Sequence, residues 1–258
     1  MNSTASFSTP AEEEGPCGNW TYHEWAEAFS TNDLARALPP WHIAVCRVQT
    51  GGRGRFNRKW IGEEGGLWAS FNVPLDTPAD AADGVDWGHL PLVAGLALLS
   101  MLRGMGLDSV RLRWPNDLLA GKSKLAGILV ERPATQMAGI GIGINIFNDV
   151  AGITGMVQDP PARLADLVPD CPSIHEVMAS LGSHLNRVFT AFSKGGIPAI
   201  RDSLAEAWAE PLPVTIATDD EMIHGIFTGI DDQGNPVLSL PTGRRTIPAH
   251  LVNRLTEN

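Results

Sequence analysis

The sequence has few cysteines, and they lie far apart. Cys17, Cys46 and Cys171 form no CxxC pair, and their number is odd. Disulfide frameworks and thiolate zinc sites use paired, closely spaced cysteines, so neither is predicted here. The 258 residues are long enough to bury a hydrophobic core without cross-links, as one large domain or one with a small addition.

Long apolar runs and targeting signals are also lacking. The longest apolar stretch, residues 90–102, is shorter than the roughly 18 residues that cross a bilayer. Residues 1–20 have no basic region followed by an apolar one, and they carry Glu12, Glu13 and Glu14. These features predict a cytoplasmic protein with no membrane contact.

Positive charge is scarce, since 19 lysines and arginines face 29 aspartates and glutamates, for a net charge of −10. Such a balance repels nucleic acid, so no DNA binding is expected. One stretch is different, because no acidic residue occurs between Asp33 and Glu63. It contains a concentrated set of cations, which includes Arg47, Arg53, Arg55, Arg58 and Lys59.

The cations of residues 51–59 are interspersed with Gly51, Gly52 and Gly54. Glycines let the backbone wrap closely around a ligand, and guanidinium groups bind phosphate or carboxylate oxygens in pairs. The loop therefore predicts binding of a small anion. The alternative for this loop is a solvated turn whose arginines pair with surface acids. The neighbouring Trp60 is equally consistent with a ligand contact and with a simple core residue.

Hydrophobic periodicity predicts an α+β fold with two domains. Residues 1–19, rich in Ser, Thr, Pro and Glu, are expected to be a mobile tail. The patterns predict a domain with a central mixed β-sheet and packed helices at residues 20–210, and a small all-β domain at residues 211–258. The strand patterns lie at 20–29, 43–48, 67–73, 110–114, 125–130 and 140–146, and the helical patterns at 34–38, 90–102, 174–192 and 200–208.

A second group of polar residues surrounds a predicted strand end. Asn116 and Asp117 come just after residues 110–114, and Lys124 begins the next strand. Ligands of open sheets bind at strand ends, a carboxylate can hold Mg²⁺, and a lysine can neutralise a phosphate in a transition state. The alternative is an Asn-Asp turn with exposed lysines.

Other short motifs do not meet their own requirements. Residues 121–123, Gly-Lys-Ser, resemble the end of a phosphate-binding P-loop, but that motif needs glycine at the position of Asn116. Residues 139–143 alternate glycine and isoleucine inside a strand, without the following helix that a dinucleotide site requires. The seven histidines show no HxxxH spacing, so no protein metal site is predicted.

Four motifs, taken in order, resemble those of the biotin protein ligases, the enzymes that biotinylate acetyl-CoA carboxylase. They are Ser30-Thr31-Asn32, residues 49–60 with their Gly-Arg-Gly-Arg core, residues 114–117 (Trp-Pro-Asn-Asp) with 124–129, and residues 141–145. Residues 225–240 are similar to the small C-terminal barrel of the family. The resemblance implies that residues 20–210 are a catalytic domain with the class II synthetase-like biotin/lipoate ligase fold, and that residues 211–258 are an SH3-like C-terminal β-barrel.

The resemblance implies a two-step reaction that uses biotin, ATP and Mg²⁺. Biotin and ATP give biotinyl-5′-AMP and pyrophosphate, and a lysine of the biotin carboxyl carrier protein then attacks the mixed anhydride. Carried over by position, the catalytic residues are Lys124, Arg55 and Asp117. The biotin-binding residues are Ser30, Thr31, Asn32, Gln49, Gly52, Arg53, Gly54, Arg55, Trp60, Lys124, Gly127 and Gly143, and the nucleotide-binding residues are Arg58, Trp114, Asn116, Lys124 and Asn145.

The chain also departs from the family pattern. Phe56 and Asn57 stand where the family has a varied residue and often glycine, and the DNA-binding region of some relatives is not expected. A lipoate ligase or octanoyl transferase would share the fold but lacks the arginine-rich signature. A noncatalytic biotin-binding module would be expected to lose Lys124 or the arginines. The sequence leaves both a monomer and a homodimer open.

Overall fold

The structure is a computed structural model that describes residues 11–75, 87–134, 136–151, 159–208 and 210–258. It has an α+β fold with helices packed on a nine-stranded mixed sheet. The helices are α1 (Thr31–Ala35), α2 (Leu90–Gly104), α3 (Ile174–Gly195) and α4 (Arg201–Ala207). The strands of this sheet are β1 (Glu13–Cys17), β2 (Trp20–Ala28), β3 (His42–Arg53), β4 (Lys59–Gly62), β5 (Leu67–Pro74), β6 (Val110–Arg113), β7 (Asp117–Ala120), β8 (Ser123–Ala134) and β9 (Met137–Ile144).

The central sheet confirms the predicted mixed topology. Its order is β1-β2-β3-β5-β9-β8-β7-β6, and β4 pairs with β3. β2 and β3 run parallel, whereas the other neighbouring strands run antiparallel. On one side, α2 packs against β6 and β8 and also against α3. α3 begins at a capping box between Ser173 and Glu176, which satisfies the first backbone donors of the helix.

The alternation of β9 gives the sheet two different faces. Ile140, Ile142 and Ile144 belong to the hydrophobic core that also includes α2 and α3. On the opposite face, a Cβ atom at Gly141 would lie 2.6 Å from Asn32 Oδ1, and one at Gly143 would lie 2.6 Å from the Trp60 ring. Glycine at these positions therefore lets other side chains approach the sheet closely.

The prediction of a mobile tail is wrong for residues 13–17. They form β1, an antiparallel edge strand on β2 whose register runs from Glu13 opposite Glu24 to Cys17 opposite Trp20. Cys17 is buried, and the Tyr22 hydroxyl donates to Glu13 over 2.7 Å. Strand pairing uses backbone groups, so a composition poor in apolar side chains did not exclude it. Residues 1–10 lie outside the described part of the chain.

The first helix begins earlier than the predicted residues 34–38. Ser30 is its N-cap residue, with extended backbone angles, but the Ser30 side chain makes no capping hydrogen bond. Thr31 and Asn32 therefore stand in the first turn, and both are buried. The consequence is that these polar side chains face the sheet instead of capping the helix from outside.

The C-terminal residues form a second, antiparallel sheet of five strands, ordered β13-β12-β11-β10-β14. The predicted SH3-like barrel is not confirmed, because over the described residues β13 and β14 lie at opposite ends of the sheet and each pairs with one neighbour, which leaves the sheet unclosed. Trp114 Nε1 donates to the Gly234 carbonyl over 3.2 Å and joins the two sheets. The strands are β10 (Leu212–Ala217), β11 (Met222–Ile230), β12 (Pro236–Leu240), β13 (Gly243–Thr246) and β14 (Arg254–Glu257).

Among the described residues, no helix is both long and apolar enough to span a bilayer.

Candidate active site

A cavity of 410 Å³ opens on the sheet face that carries Gly141 and Gly143. It collects residues that are distant in sequence, because α1, the β3–β4 loop, the β6–β7 turn, β8, β9 and the C-terminal sheet all reach it. Nearly all the predicted site residues line it. These are Ser30, Thr31, Asn32, Gln49, Arg53, Gly54, Arg55, Arg58, Trp60, Trp114, Asn116, Asp117, Lys124, Gly127 and Gly143.

One end of the cavity is polar but uncharged. Gln49 Oε1 accepts hydrogen bonds from the Thr31 backbone N–H over 2.9 Å and from the Thr31 hydroxyl over 3.3 Å. Ser70 Oγ lies 2.8 Å from Thr31 Oγ1 and 2.6 Å from Asn32 Oδ1. Because Ser30, Thr31 and Asn32 are all buried, these groups form a fixed set of donors and acceptors. Such a set suits a small neutral group such as an amide or a urea.

The middle of the cavity is narrow because an indole lies on glycines. Cβ atoms at Gly127 and Gly143 would lie 2.8 Å and 2.6 Å from the Trp60 ring. The buried Trp60 Nε1 has no hydrogen-bond acceptor within the described residues. Lys124 Nζ lies 5.3 Å from the Trp60 ring centroid. A flat apolar ligand fits such a slot, with a cation at one side.

The other end of the cavity holds a cluster of alternating charges. Lys124 Nζ lies 2.6 Å from Asp117 Oδ1. The Arg113 guanidinium donates to Asp117 Oδ2 over 2.7 Å and to both oxygens of Asp159, over 2.9 and 2.6 Å. These hydrogen bonds from Arg113 hold the pKa of the Asp159 carboxyl below its usual range. Asp117 is therefore shared between Lys124 and Arg113, so it keeps a partner when Lys124 turns to an anionic ligand.

Arg55 reaches this charged end while it is anchored to the C-terminal sheet. Its Nη2 atom donates to the Val252 carbonyl over 3.2 Å. Burial lowers the pKa of Arg55, the charge of Asp117 opposes that shift, and the charge of Arg58 adds to it. Asn253 and Arg254, which follow Val252, also line the cavity. A half-buried cation gains more from an anionic ligand than an exposed one does.

Arg53 has a different environment from that predicted for the loop. Asp33, at the boundary of the acid-free stretch, accepts from Arg53 Nη1 over 3.1 Å and from Nη2 over 2.8 Å, and Glu131 lies 3.5 Å away. Although residues 34–62 contain no acidic residue, Arg53 has a carboxylate partner because α1 brings Asp33 back to the loop. These contacts raise the pKa of Arg53, chiefly through the hydrogen bonds to Asp33.

Two predicted residues do not line the cavity. A Cβ atom at Gly52 would lie 2.5 Å from Gln49 Nε2 and 2.7 Å from the Trp60 carbonyl, so Gly52 permits the close approach of those two residues. Asn145 is buried, accepts from Asn148 Nδ2 over 3.1 Å and donates to the Lys124 carbonyl over 3.4 Å. Gly52 and Asn145 therefore contact cavity residues without lining the cavity: Gly52 lies against Gln49 and Trp60, and Asn145 is bonded to Lys124.

Sequence reasoning missed several charged or polar groups of the cavity. Arg113 directly precedes the Trp-Pro-Asn-Asp motif, and its position at a predicted strand end was a usable signal. Asp159, Asn253 and Arg254 have no motif around them and reach the cavity only through the tertiary fold. Backbone bonds between Lys124 N and the Pro160 carbonyl (2.7 Å), and between Ala162 N and the Lys124 carbonyl (2.9 Å), fix the segment of Asp159 beside β8.

Comparison with known proteins agrees with this arrangement. Residues 23–145 match the Biotin/lipoate A/B protein ligase family, and residues 213–249 match the Biotin protein ligase C terminal domain. The chain is 33% identical over 238 residues to the biotin–[acetyl-CoA-carboxylase] ligase of Paracoccus denitrificans, an alignment that covers 87% of this chain and 96% of that one. It is 32% identical to the ligase of the same name from Mycobacterium tuberculosis, over 86% of this chain and 84% of that one.

A solved structure described as the biotin protein ligase from Aquifex aeolicus in complex with biotin and ATP superposes with a TM-score of 0.78. At 23% identity, with 92% of this chain and 99% of that chain covered, it supports the fold. The four ordered motifs, their convergence on one cavity and the sequence match along most of the chain lead to one conclusion: this chain belongs to the biotin protein ligase family.

Proposed function

We propose that this protein is an ATP-dependent biotin protein ligase. It joins the biotin carboxylate to the α-phosphate of ATP, which releases pyrophosphate and gives biotinyl-5′-AMP. A carrier-protein lysine then attacks the acyl carbon, and AMP leaves. The observation that carries this proposal is the cavity itself, which is lined by a neutral polar group, by an indole packed on glycines and by a cluster of cations.

The neutral end suits the ureido ring of biotin. Thr31 and Gln49 offer donors and acceptors that are already aligned with each other, and Ser30 and Asn32 stand beside them. The narrow part of the cavity beside Trp60, whose ring packs directly on Gly127 and Gly143, then takes the apolar ring and valeryl chain. Arg53 and Gly54 line the same cavity from the loop above. These groups orient the carboxylate toward Lys124.

The cations address the main barrier of adenylation, which joins two anions. Lys124 belongs to the charged cluster and Arg55 interacts with Asp117 of that cluster, and these two cations offset the repulsion between carboxylate and α-phosphate. Arg58, Trp114 and Asn116 line the nucleotide side, and Asn145 holds the Lys124 backbone. Asp117, freed from Lys124 by the anionic ligand, can then bind and orient the incoming lysine amine.

Mg²⁺ fits this site as a companion of the triphosphate. Within the described residues, no three His, Cys, Asp or Glu side chains are grouped as a metal cage. Magnesium usually keeps waters and uses one or two carboxylates with substrate phosphates, and Asp117 and Asp159 are carboxylates of the cavity. The ion supplies charge neutralisation on the phosphates, whereas the chain itself supplies the orientation.

The remaining assignments follow from the same reaction. We assign catalysis to residues 20–210, with residues 211–258 adding Asn253 and Arg254 to the cavity lining. The acceptor is the biotin carboxyl carrier protein of acetyl-CoA carboxylase, whose lysine enters at the charged end. The cysteines are free thiols, which fits a reducing cytoplasm.

The test is pyrophosphate release from ATP with biotin, lipoate and octanoate supplied separately. Biotin is expected to support release, and the other two acids are not, because the polar end is built for a ureido group. Transfer is then followed as biotin attached to a carrier protein, with its acceptor lysine changed to arginine as control. Preference for lipoate or octanoate would assign the chain to the neighbouring branch of the superfamily.

A further inference from the structure

The glycine- and arginine-rich loop of residues 49–60, here called the signature loop, contains Phe56. The ring of Phe56 faces two arginines of the same loop. Arg55 Cζ lies 5.0 Å from the ring centroid of Phe56, and Arg58 Cζ lies 5.8 Å from it. The Phe56 side chain is 56% exposed, yet it lines the cavity together with both arginines. Single exposed apolar side chains are common at protein surfaces, so the two arginine contacts, and not the exposure, indicate the role of Phe56.

The backbone at Phe56 shows that the ring is held there against a local cost. Its φ and ψ are 57° and 36°, in the left-handed region that L residues other than asparagine rarely adopt. Among the described residues, only Trp41 is another non-glycine residue with positive φ. The turn is closed by backbone bonds from Gly54 N to the Arg58 carbonyl (2.7 Å) and from Arg58 N to the Arg55 carbonyl (3.3 Å). Glycine would adopt this turn without strain, but the chain has phenylalanine.

Arg55 and Arg58 repel each other, and the Phe56 ring opposes their separation because it attracts both guanidinium groups. The face of an aromatic ring is electronegative, so a guanidinium placed over it is attracted. One ring that contacts both cations therefore restricts each of them to one region and keeps both near the cavity. Arg55 has a further anchor at the Val252 carbonyl, whereas Arg58 is exposed and depends more on Phe56.

We infer that Phe56 is a positioning residue, which holds Arg55 and Arg58 ready for the phosphate oxygens of the nucleotide. The inference rests on the proposed function for the identity of that ligand. It predicts that the ring acts on nucleotide affinity mainly through Arg58, while biotin affinity and the chemical step change little because Arg55 keeps its anchor at the Val252 carbonyl.

The experiment compares the variants F56L, F56W and F56G with the wild type in biotin-dependent exchange between ATP and pyrophosphate. Loss of two partly exposed contacts is expected to raise KM for MgATP by about 5- to 20-fold in F56L, with kcat within about twofold. F56W is expected to restore the wild-type KM. F56G removes both the ring and the backbone strain, whereas F56L removes the ring alone. Comparison of these two variants therefore separates the effect of the ring on KM from the effect of the strain.

Each outcome decides the inference. A KM for MgATP in F56G equal to that of the wild type would overturn it, because the turn alone would then suffice. Equal loss in F56W and F56L would also overturn it. Binding of pyrophosphate alone, measured by calorimetry on the same variants, does not depend on turnover. If the wild type shows no biotin-dependent exchange, the proposed function fails, and weaker pyrophosphate binding in F56L with rescue in F56W still supports the positioning role.

Discussion

The indole ring of Trp60 lies against the backbone of Gly143, and the space between them is too small for a methyl group. A Cβ atom at position 143 would approach the ring to 2.6 Å, whereas one at Gly139, on the same strand, would meet nothing closer than 3.4 Å. The two glycines have the same alternating position in β9 but different neighbours. This difference makes them a matched pair for mutation.

Replacing Gly143 with alanine is expected to displace Trp60 and weaken biotin binding at least tenfold, because the slot closes or shifts. Gly139→Ala is the control and is expected to bind biotin within about twofold of the wild type, since its methyl group has room. Calorimetric titration with biotin measures both. Equal affinities for the two variants would show that Trp60 does not form the biotin slot.

Lys124→Ala is expected to keep the fold and lose adenylate synthesis by about 10² to 10³ in rate, the usual loss when a fixed charge at a phosphoryl transition state is removed. Lys122→Ala is the control, since Lys122 is exposed in the preceding turn and does not line the cavity. Biotin-dependent exchange between ATP and pyrophosphate gives the rates. Exchange in the Lys124 variant at the level of the control would remove Lys124 from the mechanism.

Asp159→Asn is expected to lower the free energy of unfolding at pH 7 by about 1–3 kcal/mol, because the variant loses charged hydrogen bonds to Arg113. The folded pKa of Asp159 is lowered, so its stabilisation is present above the unfolded value and is lost as pH falls through the folded value. The wild type is thus expected to lose more stability than the variant from about pH 4 downward. Urea unfolding at several pH values tests this, and parallel curves would contradict it.

Trypsin reports how the signature loop is held. Arg58 and Lys59 are exposed, whereas Arg53 is held by Asp33. Cleavage of the free protein is expected after Arg58 and Lys59 first, with strong protection by biotin and ATP together. Asp33→Asn is expected to speed cleavage after Arg53 selectively. If ligands leave all the rates unchanged in active protein, the loop does not close over them.

The sequence predicted the parts of the site that carry local signals. The Gly-Arg run, the Trp-Pro-Asn-Asp motif and Lys124 are recognisable because each needs particular residue types at fixed spacing, and the structure brings them to one cavity. The alternation of β9 likewise predicted a strand, although it did not show that its glycines make room for Trp60 and Asn32. Such close approach is a property of the partner side chain, which lies far away in sequence.

The features of the site and the fold that the sequence did not predict depend on contacts between residues far apart in the chain. The pairing of Asp33 with Arg53 requires α1 to start at Thr31, and no periodicity distinguishes that start from one three residues later. Asp159 and Arg254 contact the site through tertiary structure alone. The open arrangement of β13 and β14 depends on strand pairing, which the runs of apolar residues do not specify.

The edge strand β1 has a consequence for how the molecule avoids self-association. It covers the backbone donors and acceptors of β2 that would otherwise be free to pair with another chain, and it carries two consecutive exposed carboxylates, Glu13 and Glu14, one on each face. Adjacent carboxylates disfavour the addition of a further strand, since an incoming copy would bring the same charges against them. Removal of residues 1–19 would leave the backbone donors and acceptors along the outer edge of β2 unpaired, and aggregation is the expected result.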